Sequence, residues 1–390
     1  MPNEKKDHRG KRMRRDPTPS FPLLGWRYPG PSVYWDLETD NDGFLPNRRG
    51  EQSAIDREAE IRVWLVGGST MAGAGASAND RTIAACLERD LRTRHGKRIS
   101  VVNAGVGGWY SQNELAFLAQ ELLPLHRPDA VVVMNGYNDT WRAVVAGAKF
   151  EVGDHGDYVS SGNYLYDPRL EGEVFEVLKR SGDQSGTPGA ARDGRGRCWL
   201  SIRNTYAGEF LWGVSCSRKI EEVGVDGVQV DRLSILQPPL NVDPYLANVR
   251  SCVALAIGWR MPLLYVLQPS VVYKKTLTAE ELSPLENIRR KTLAGGWSAY
   301  KAERGCDFDD IQRRFFDGAR PGFLDLGKRL NSETTQLVDF SRLFENETED
   351  LFYDYCHYTD RGNELIANAI VSELEPILQR PGIRIAGNHG

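Results

Sequence analysis

The sequence has no Cys-x-x-Cys pair, no long apolar run and no marked excess of charge. Its six cysteines lie at positions 86, 198, 216, 252, 306 and 356. They are too few for a disulfide scaffold, and their spacing does not fit a zinc or thioredoxin-type motif. No stretch approaches the length of apolar residues that a membrane-spanning helix needs, so none is predicted. The net charge of −4 over 390 residues lacks the basic surplus that nucleic-acid binders usually carry, and we expect no nucleic-acid partner.

The basic N-terminal segment, residues 1–16, lacks the apolar stretch that would make it a signal peptide. Its lysines and arginines run from Lys5 to Arg15, and polar residues with two prolines follow. We therefore interpret residues 1–16 as a disordered tail of a cytoplasmic protein, and residues 379–390 as a second tail. An electrostatic anchor to an acidic surface is the less favoured alternative, because the run is short and interrupted by acids.

Strands and helices alternate from residue 61 onward. The predicted strands are 61–66, 99–103, 129–135, 263–267 and 337–340. The predicted helices are 79–96, 111–124, 244–260 and 359–374, with further helical residues within 276–330. A capping box at Ser111–Glu114 should start the second helix, and Pro124 should end it. This alternation favours right-handed βαβ units, so we expect an α/β domain over residues 61–378 with a central parallel sheet of about five strands.

Two stretches do not follow the alternation. Residues 17–60 are rich in proline, glycine and aromatics without a sustained period, so they should wrap the core rather than form it. Residues 141–235 also lack a period and are expected to be an insertion in the domain. Within it, residues 181–197 are almost all Gly, Ser, Asp, Arg, Pro and Ala, which predicts a passive surface loop rather than a lid.

Four short segments place glycines and polar residues next to predicted strand ends. They are Gly67–Thr70, Asn103–Trp109, Asn135–Asp139 and Asp354–His357. The first three directly follow the first three strands, and the fourth precedes the closing helix. Ligands of open parallel sheets bind at the carboxyl ends of the strands, so we expect the four segments to meet at that edge.

Ser69 and Asn138 each have an ordinary and a chemical interpretation. The hydroxyl of Ser69 should be exposed between a strand and a helix, although a small turn serine is the more common interpretation of such a residue alone. The amide of Asn138 can donate to a developing oxyanion, or it can cap its own loop. Nucleotide binding is disfavoured, since neither Gly-Lys-Ser/Thr nor Gly-x-Gly-x-x-Gly is present at these turns.

His357 is the only one of the six histidines that lies near a predicted strand end with an acid close by. Asp354, three residues earlier, can accept the Nδ1–H of the imidazole. That bond would fix the tautomer and leave Nε2 free as a base. A loop histidine that caps the closing helix is the alternative.

Taken in order, the four segments resemble the motifs of the SGNH (GDSL-like) hydrolase superfamily, bacterial type. The most specific piece is Asn103–Ser111, and Leu24–Arg27 and Asn41–Phe44 are similar to the lead-in of many bacterial members. The resemblance covers roughly residues 61–375, with the insertion as an interruption. It implies a flavodoxin-like three-layer α/β sandwich and a serine esterase that needs no metal or organic cofactor.

The resemblance also implies a set of site residues. Ser69 would be the nucleophile, His357 the general base and then the general acid, and Asp354 the residue that orients His357. The implied oxyanion donors are the N–H groups of Ser69 and Gly108 and the side chain of Asn138. The candidates for the substrate pocket are Trp109 and Tyr137.

The sequence departs from the family pattern at two positions. Gly68 stands where an aspartate usually precedes the serine, and Tyr137 stands beside the implied oxyanion donor. The expected substrate is an acyl or acetyl ester of a sugar or small metabolite. Two alternatives are an acyltransferase that uses the same acyl-enzyme and a binding module that has the fold without the chemistry.

Overall fold

The computed structural model describes residues 27–95 except residue 29, residues 98–140, 143, 241–292 and 308–379, and four two-residue strands before residue 27. The expected insertion at 141–235, apart from residue 143, and its loop at 181–197 lie outside the described residues. Within the basic segment, Lys5–Lys6 pairs with Arg12–Met13, so a short antiparallel pair lies where the sequence predicts a disordered tail.

The centre of the fold is a sheet of five parallel strands. The strands are β1 Ile61–Gly67, β2 Ile99–Asn103, β3 Ala130–Asn135, β4 Leu263–Leu267 and β5 Thr335–Asp339. Nearly continuous Val, Ile and Leu runs form β1 to β4, as expected for strands that are covered on both faces. The spatial order β2-β1-β3-β4-β5 is flavodoxin-like, and it puts the topological switch point between β1 and β3. The predicted α/β class and five-strand parallel sheet are confirmed.

Helices cover both faces of the sheet. They are α1 Ser69–Ala72, α2 Ile83–His95, α3 Ser111–Phe117, α4 Asp243–Trp259, α5 Ala279–Thr292, α6 Phe308–Leu330 and α7 Asp360–Leu378. Helices α2 and α7 pack together as one group, and α4 packs against α3 and α6 as another. No helix in the described ranges is long and apolar enough to cross a bilayer.

One predicted helix end and one predicted N-cap are wrong. Pro124 does not end the second helix, because α3 continues as a π-helix over Leu118–His126 that contains this proline. Proline disrupts an α-helix by removing one of its i→i−4 hydrogen bonds. The hydrogen bonds of a π-helix join residues five positions apart, so the α-helical bond that Pro124 would remove is not part of this helix. Ser111 is the first residue of α3 and Tyr110 is its N-cap, so the hydroxyl of Ser111 is available for another partner.

The segment before β1 is fastened to the loop that follows α1. Val33–Tyr34 and Leu37–Glu38 form a short antiparallel hairpin. The side chain of Asn79 accepts the N–H of Glu38 at 3.0 Å and donates to the Glu38 carbonyl at 3.0 Å. This pair of bonds fixes the hairpin beside the carboxyl edge of the sheet, where β1 ends.

Candidate active site

Three polar side chains from distant parts of the chain form a continuous hydrogen-bonded row at the carboxyl edge of the sheet. Ser69 begins α1 directly after β1, and His357 lies in the loop before α7. Nε2 of His357 is 2.7 Å from Oγ of Ser69, and Nδ1 is 2.7 Å from Oδ2 of Asp354. An imidazole held in this way can take the hydroxyl proton at Nε2 while its Nδ1–H stays bonded to the carboxylate.

Asp354 is held as a carboxylate in a mostly buried position. Its Oδ1 accepts the backbone N–H groups of Cys356 and His357, each at 2.9 Å. Burial acts to raise the pKa of this carboxyl, but the adjacent imidazole and these donors outweigh it and lower the pKa to about 2. Asp354 is therefore charged at neutral pH and can stabilise an imidazolium on His357.

A buried ion pair anchors the loop that carries Asp354 and His357. Nζ of Lys274 lies 2.6 Å from both carboxylate oxygens of Glu281, and both side chains are fully buried. The same carboxylate accepts the N–H groups of Leu351 and Phe352 at 2.9 and 3.0 Å. Because these two residues directly precede the loop of Asp354 and His357, the ion pair fixes where that loop begins.

Three N–H groups belong to Ser69 and to the turns after β2 and β3. The Ser69 N–H is the first of α1 and has no acceptor within the helix. Gly108 has φ +79°, which favours glycine, and its N–H donates to no group among the described residues. The side-chain amide of Asn138 donates to the carbonyl of Trp109 at 2.7 Å, which leaves its second N–H available. These groups have the composition of an oxyanion hole.

The sequence of this region matches a known family. Residues 65–166 match the model of the GDSL-like lipase/acylhydrolase family. This match begins in β1 and contains Ser69, Gly108 and Asn138, but not Asp354 or His357. Over these residues the chain is similar to GDSL-like lipases and acylhydrolases. The match confirms the predicted resemblance and the predicted enzyme class, a hydrolase that acts on ester bonds.

Solved structures that are similar to this chain include two acetyl xylan esterases and the protein TesA. The acetyl xylan esterase AlAXEase is 14% identical with a TM-score of 0.36, covering 80% of this chain and 100% of that one. TesA is 13% identical with a TM-score of 0.40, covering 81% and 99%. A variant of Axe2, an acetyl xylan esterase from Geobacillus stearothermophilus, is 13% identical with a TM-score of 0.34, covering 84% and 100%. No curated protein sequence matches the chain.

Gly68 allows the Asn138 amide and the Trp109 carbonyl to lie close to the turn that carries Ser69. A Cβ on Gly68 would lie 2.7 Å from Nδ2 of Asn138 and 2.8 Å from the carbonyl oxygen of Trp109. Neither distance is compatible with a carbon atom unless the loop moves. The departure from the usual aspartate therefore coincides with close packing of Asn138 against the turn that carries Ser69.

Asp139 ties the loop that follows β2 to the loop that follows β3. Its Oδ1 accepts the Ser111 hydroxyl at 2.5 Å and the Ser111 N–H at 3.2 Å. Nδ2 of Asn248, on α4, donates to the same hydroxyl at 2.9 Å. Since Asp139 follows Asn138 directly, this network fixes the backbone on both sides of the bond between Asn138 and Trp109. The only sequence signal for this network is Ser111, which was predicted to belong to a capping box. Its hydroxyl donates to Asp139 instead.

The two predicted pocket residues occupy different environments. The indole of Trp109 is 1% exposed and packs against Phe117 at a centroid distance of 5.5 Å. It belongs to the core, and only its backbone carbonyl reaches the site, which corrects the pocket prediction. Tyr137 is 8% exposed and lies 5.3 Å from the ring of Tyr355, which is 6.3 Å from the His357 imidazole. Its role in a pocket stays a prediction.

Sequence reasoning missed two aromatic residues that contact the site from the segment before β1. The Tyr28 hydroxyl accepts the N–H of Gly107 at 2.7 Å. Trp35 and Asp36 form the two-residue turn of the hairpin, with φ values of +47° and +65°. Such turns favour Asn-Gly, and each non-glycine residue there costs about 1–3 kcal/mol of backbone strain. The only sequence signal for this turn is that Trp35 and Asp36 stand between two short pairs of residues that favour strands.

One group of potential metal ligands lies within 4.8 Å in the described part of the chain, namely Asp354, Cys356 and His357. Nδ1 of His357 is already bonded to Asp354. Burial, with the nearby Asp354 charge, raises the pKa of the Cys356 thiol well above its usual value, so the thiol is neutral at neutral pH. Metals bind thiolates, and this group is therefore better suited to hydrogen bonding than to a metal.

Proposed function

We propose that the chain is a serine esterase that cleaves a carboxylic ester through an acyl-enzyme on Ser69. The observation that carries the proposal is the unbroken row from Oγ of Ser69 through His357 to Asp354, with 2.7 Å at each step. The family match supports hydrolysis of ester bonds in general. The proposed substrate class is an acyl or acetyl ester of a sugar or a small metabolite.

The first half of the reaction forms the acyl-enzyme. Oγ of Ser69 attacks the carbonyl carbon while its proton passes to Nε2 of His357. Asp354, with its lowered pKa, stabilises the resulting imidazolium. The carbon–oxygen bond to the leaving alcohol then breaks, and the alcohol oxygen takes the proton from His357.

The second half releases the acid. Water enters, gives its proton to Nε2 of His357 and attacks the acyl carbon, and Oγ of Ser69 leaves with that proton. In both halves the negative oxygen lies against the N–H groups of Ser69 and Gly108 and the Asn138 amide. Loss of one such donor costs about 10²–10³ in kcat in comparable enzymes.

We also propose that residues 61–378 form the hydrolase domain. Residues 17–60 are proposed to wrap this domain, and the hairpin at 33–38 supports that packing because Asn79 binds it directly.

Covalent labelling tests the proposed function. A fluorophosphonate should add one adduct to the wild-type protein, and peptide mass spectrometry should locate it on Ser69. Ser69→Ala should abolish both labelling and ester hydrolysis, whereas Ser251→Ala, which removes an exposed serine hydroxyl on α4, should change neither. A label on another serine, or hydrolysis retained by Ser69→Ala, would contradict the proposal.

A further inference from the structure

The indole of Trp35 contacts two parts of the candidate site at once. Its ring centroid lies 5.9 Å from that of the His357 imidazole, with an angle of 48° between the planes. On another edge, Cη2 and Cζ3 lie 2.8 and 3.3 Å from the position that a Cβ on Gly107 would take. The indole therefore lies between the histidine and the turn that carries Gly108.

The hairpin holds Trp35 in this position in spite of an unfavourable backbone. A tryptophan with positive φ is a true outlier, and such conformations persist only where the surroundings determine them. The base of the hairpin is held by the two Asn79 bonds to Glu38, and the ring of Tyr34 lies 4.2 Å from that of Tyr28. Trp35 as a residue is neither fully buried nor fully exposed, so part of it faces solvent.

We propose that Trp35 is a specificity-determining residue that packs against the alcohol part of the ester. In the proposed function, on which this inference rests, His357 delivers its proton to the leaving alcohol oxygen. The flat apolar indole next to that imidazole consequently contacts the alcohol part of the ester and not the acyl chain. Such a surface fits the C–H face of a ring-shaped alcohol, such as a sugar or a cyclohexanol ring, better than a small open-chain alcohol.

The experiment compares two acetate esters of secondary alcohols, cyclohexyl acetate and isopropyl acetate. We expect the wild type to prefer the cyclohexyl ester in kcat/KM, and Trp35→Ala to lower kcat/KM for that ester about tenfold, mainly through KM. For isopropyl acetate the loss should be less than about twofold. Trp35→Phe should keep part of the preference, and Trp259→Ala, which removes a half-exposed indole at the end of α4, should keep all of it.

Two further measurements separate a substrate contact from a structural role. Asp36→Gly relieves the positive φ while leaving the indole in place, so it should keep the ring preference. Replacing acetate by butyrate should affect the wild type and Trp35→Ala equally. Equal losses on both alcohols, a changed acyl preference, or no ring preference in the wild type would each overturn the proposal.

The outcomes also distinguish this inference from the proposed function. Hydrolysis of isopropyl acetate that depends on Ser69, without any effect of Trp35 on the choice of alcohol, would overturn the role of Trp35 alone. If no ester is hydrolysed in a Ser69-dependent manner, both the function and this inference are wrong.

Discussion

The hydroxyl of Tyr28 accepts a hydrogen bond from the N–H of Gly107 at 2.7 Å. This bond joins residues that are 79 positions apart, and both of its groups are buried. It satisfies the Gly107 N–H, so the neighbouring Gly108 N–H is the donor that the turn can offer to a substrate. The segment before β1 thus helps to set the geometry of the proposed oxyanion hole.

Tyr28→Phe should weaken both stability and catalysis. The buried Gly107 N–H loses its acceptor, which costs about 1–3 kcal/mol of the free energy of unfolding. We also expect kcat to fall several-fold as the turn relaxes. Tyr245→Phe is the control, because it removes a buried hydroxyl that has no hydrogen-bond partner in the described part of the chain. Urea unfolding and initial rates measure both effects, and equal behaviour of the two variants would refute the role of Tyr28.

Gly68→Ala should reduce kcat by at least about tenfold, as expected when an oxyanion donor is displaced. The added Cβ would lie 2.7 Å from Nδ2 of Asn138, so that amide or the Ser69 turn has to move. Gly258→Ala is the matched control, since a Cβ there meets nothing within 4 Å. It should leave kcat unchanged and add up to about 1 kcal/mol of stability, because alanine favours a helix. Unchanged kcat in Gly68→Ala would show that the close approach is not needed.

Glu281→Gln should be strongly destabilising. It leaves the fully buried ammonium of Lys274 without a counter-charge, which costs about 3–5 kcal/mol. Lys274→Met combined with Glu281→Gln should recover part of this loss, since no unpaired charge remains. Asp325→Asn, which breaks an exposed pair with Arg329, should cost less than about 1 kcal/mol. Urea unfolding of the four proteins checks the order, and a loss in Glu281→Gln as small as that of the exposed pair would contradict it.

The pKa of Asp354 predicts an acid-dependent part of the stability. A carboxyl whose pKa drops from 3.8 to about 2 on folding stabilises the folded state at pH values above the unfolded pKa. That contribution, about 2 kcal/mol, is lost as the pH falls toward 2. The wild type should therefore lose about 2 kcal/mol more than Asp354→Asn between pH 6 and the acid limit. If the free energy of unfolding falls equally with pH in the two proteins, the contact with His357 does not lower the pKa of Asp354.

The sequence predicts the sheet well, for a physical reason, whereas the grouping of Ser69, His357 and Asp354 came from the resemblance in motifs. Buried parallel strands are continuous apolar runs, and polar residues at their carboxyl ends stand out from them. The tertiary contacts of residues 28 and 35 leave no such trace, because residues 17–60 have no period and their partners lie far along the chain. Trp109 was misassigned because its contribution is a backbone carbonyl, which any residue type supplies. Pro124 was misassigned because the π-helical bonding that accommodates it has no sequence signature.

The most direct test of the account measures kcat/KM on a small acyl ester for Ser69→Ala, His357→Ala and the double variant. Residues that act as one unit are strongly non-additive. We predict that each single variant loses at least about 10⁴-fold and that the double variant loses no more than the worse single one. A double variant whose loss equals the product of the two single losses would contradict the proposal that Ser69 and His357 act as one nucleophile–base pair.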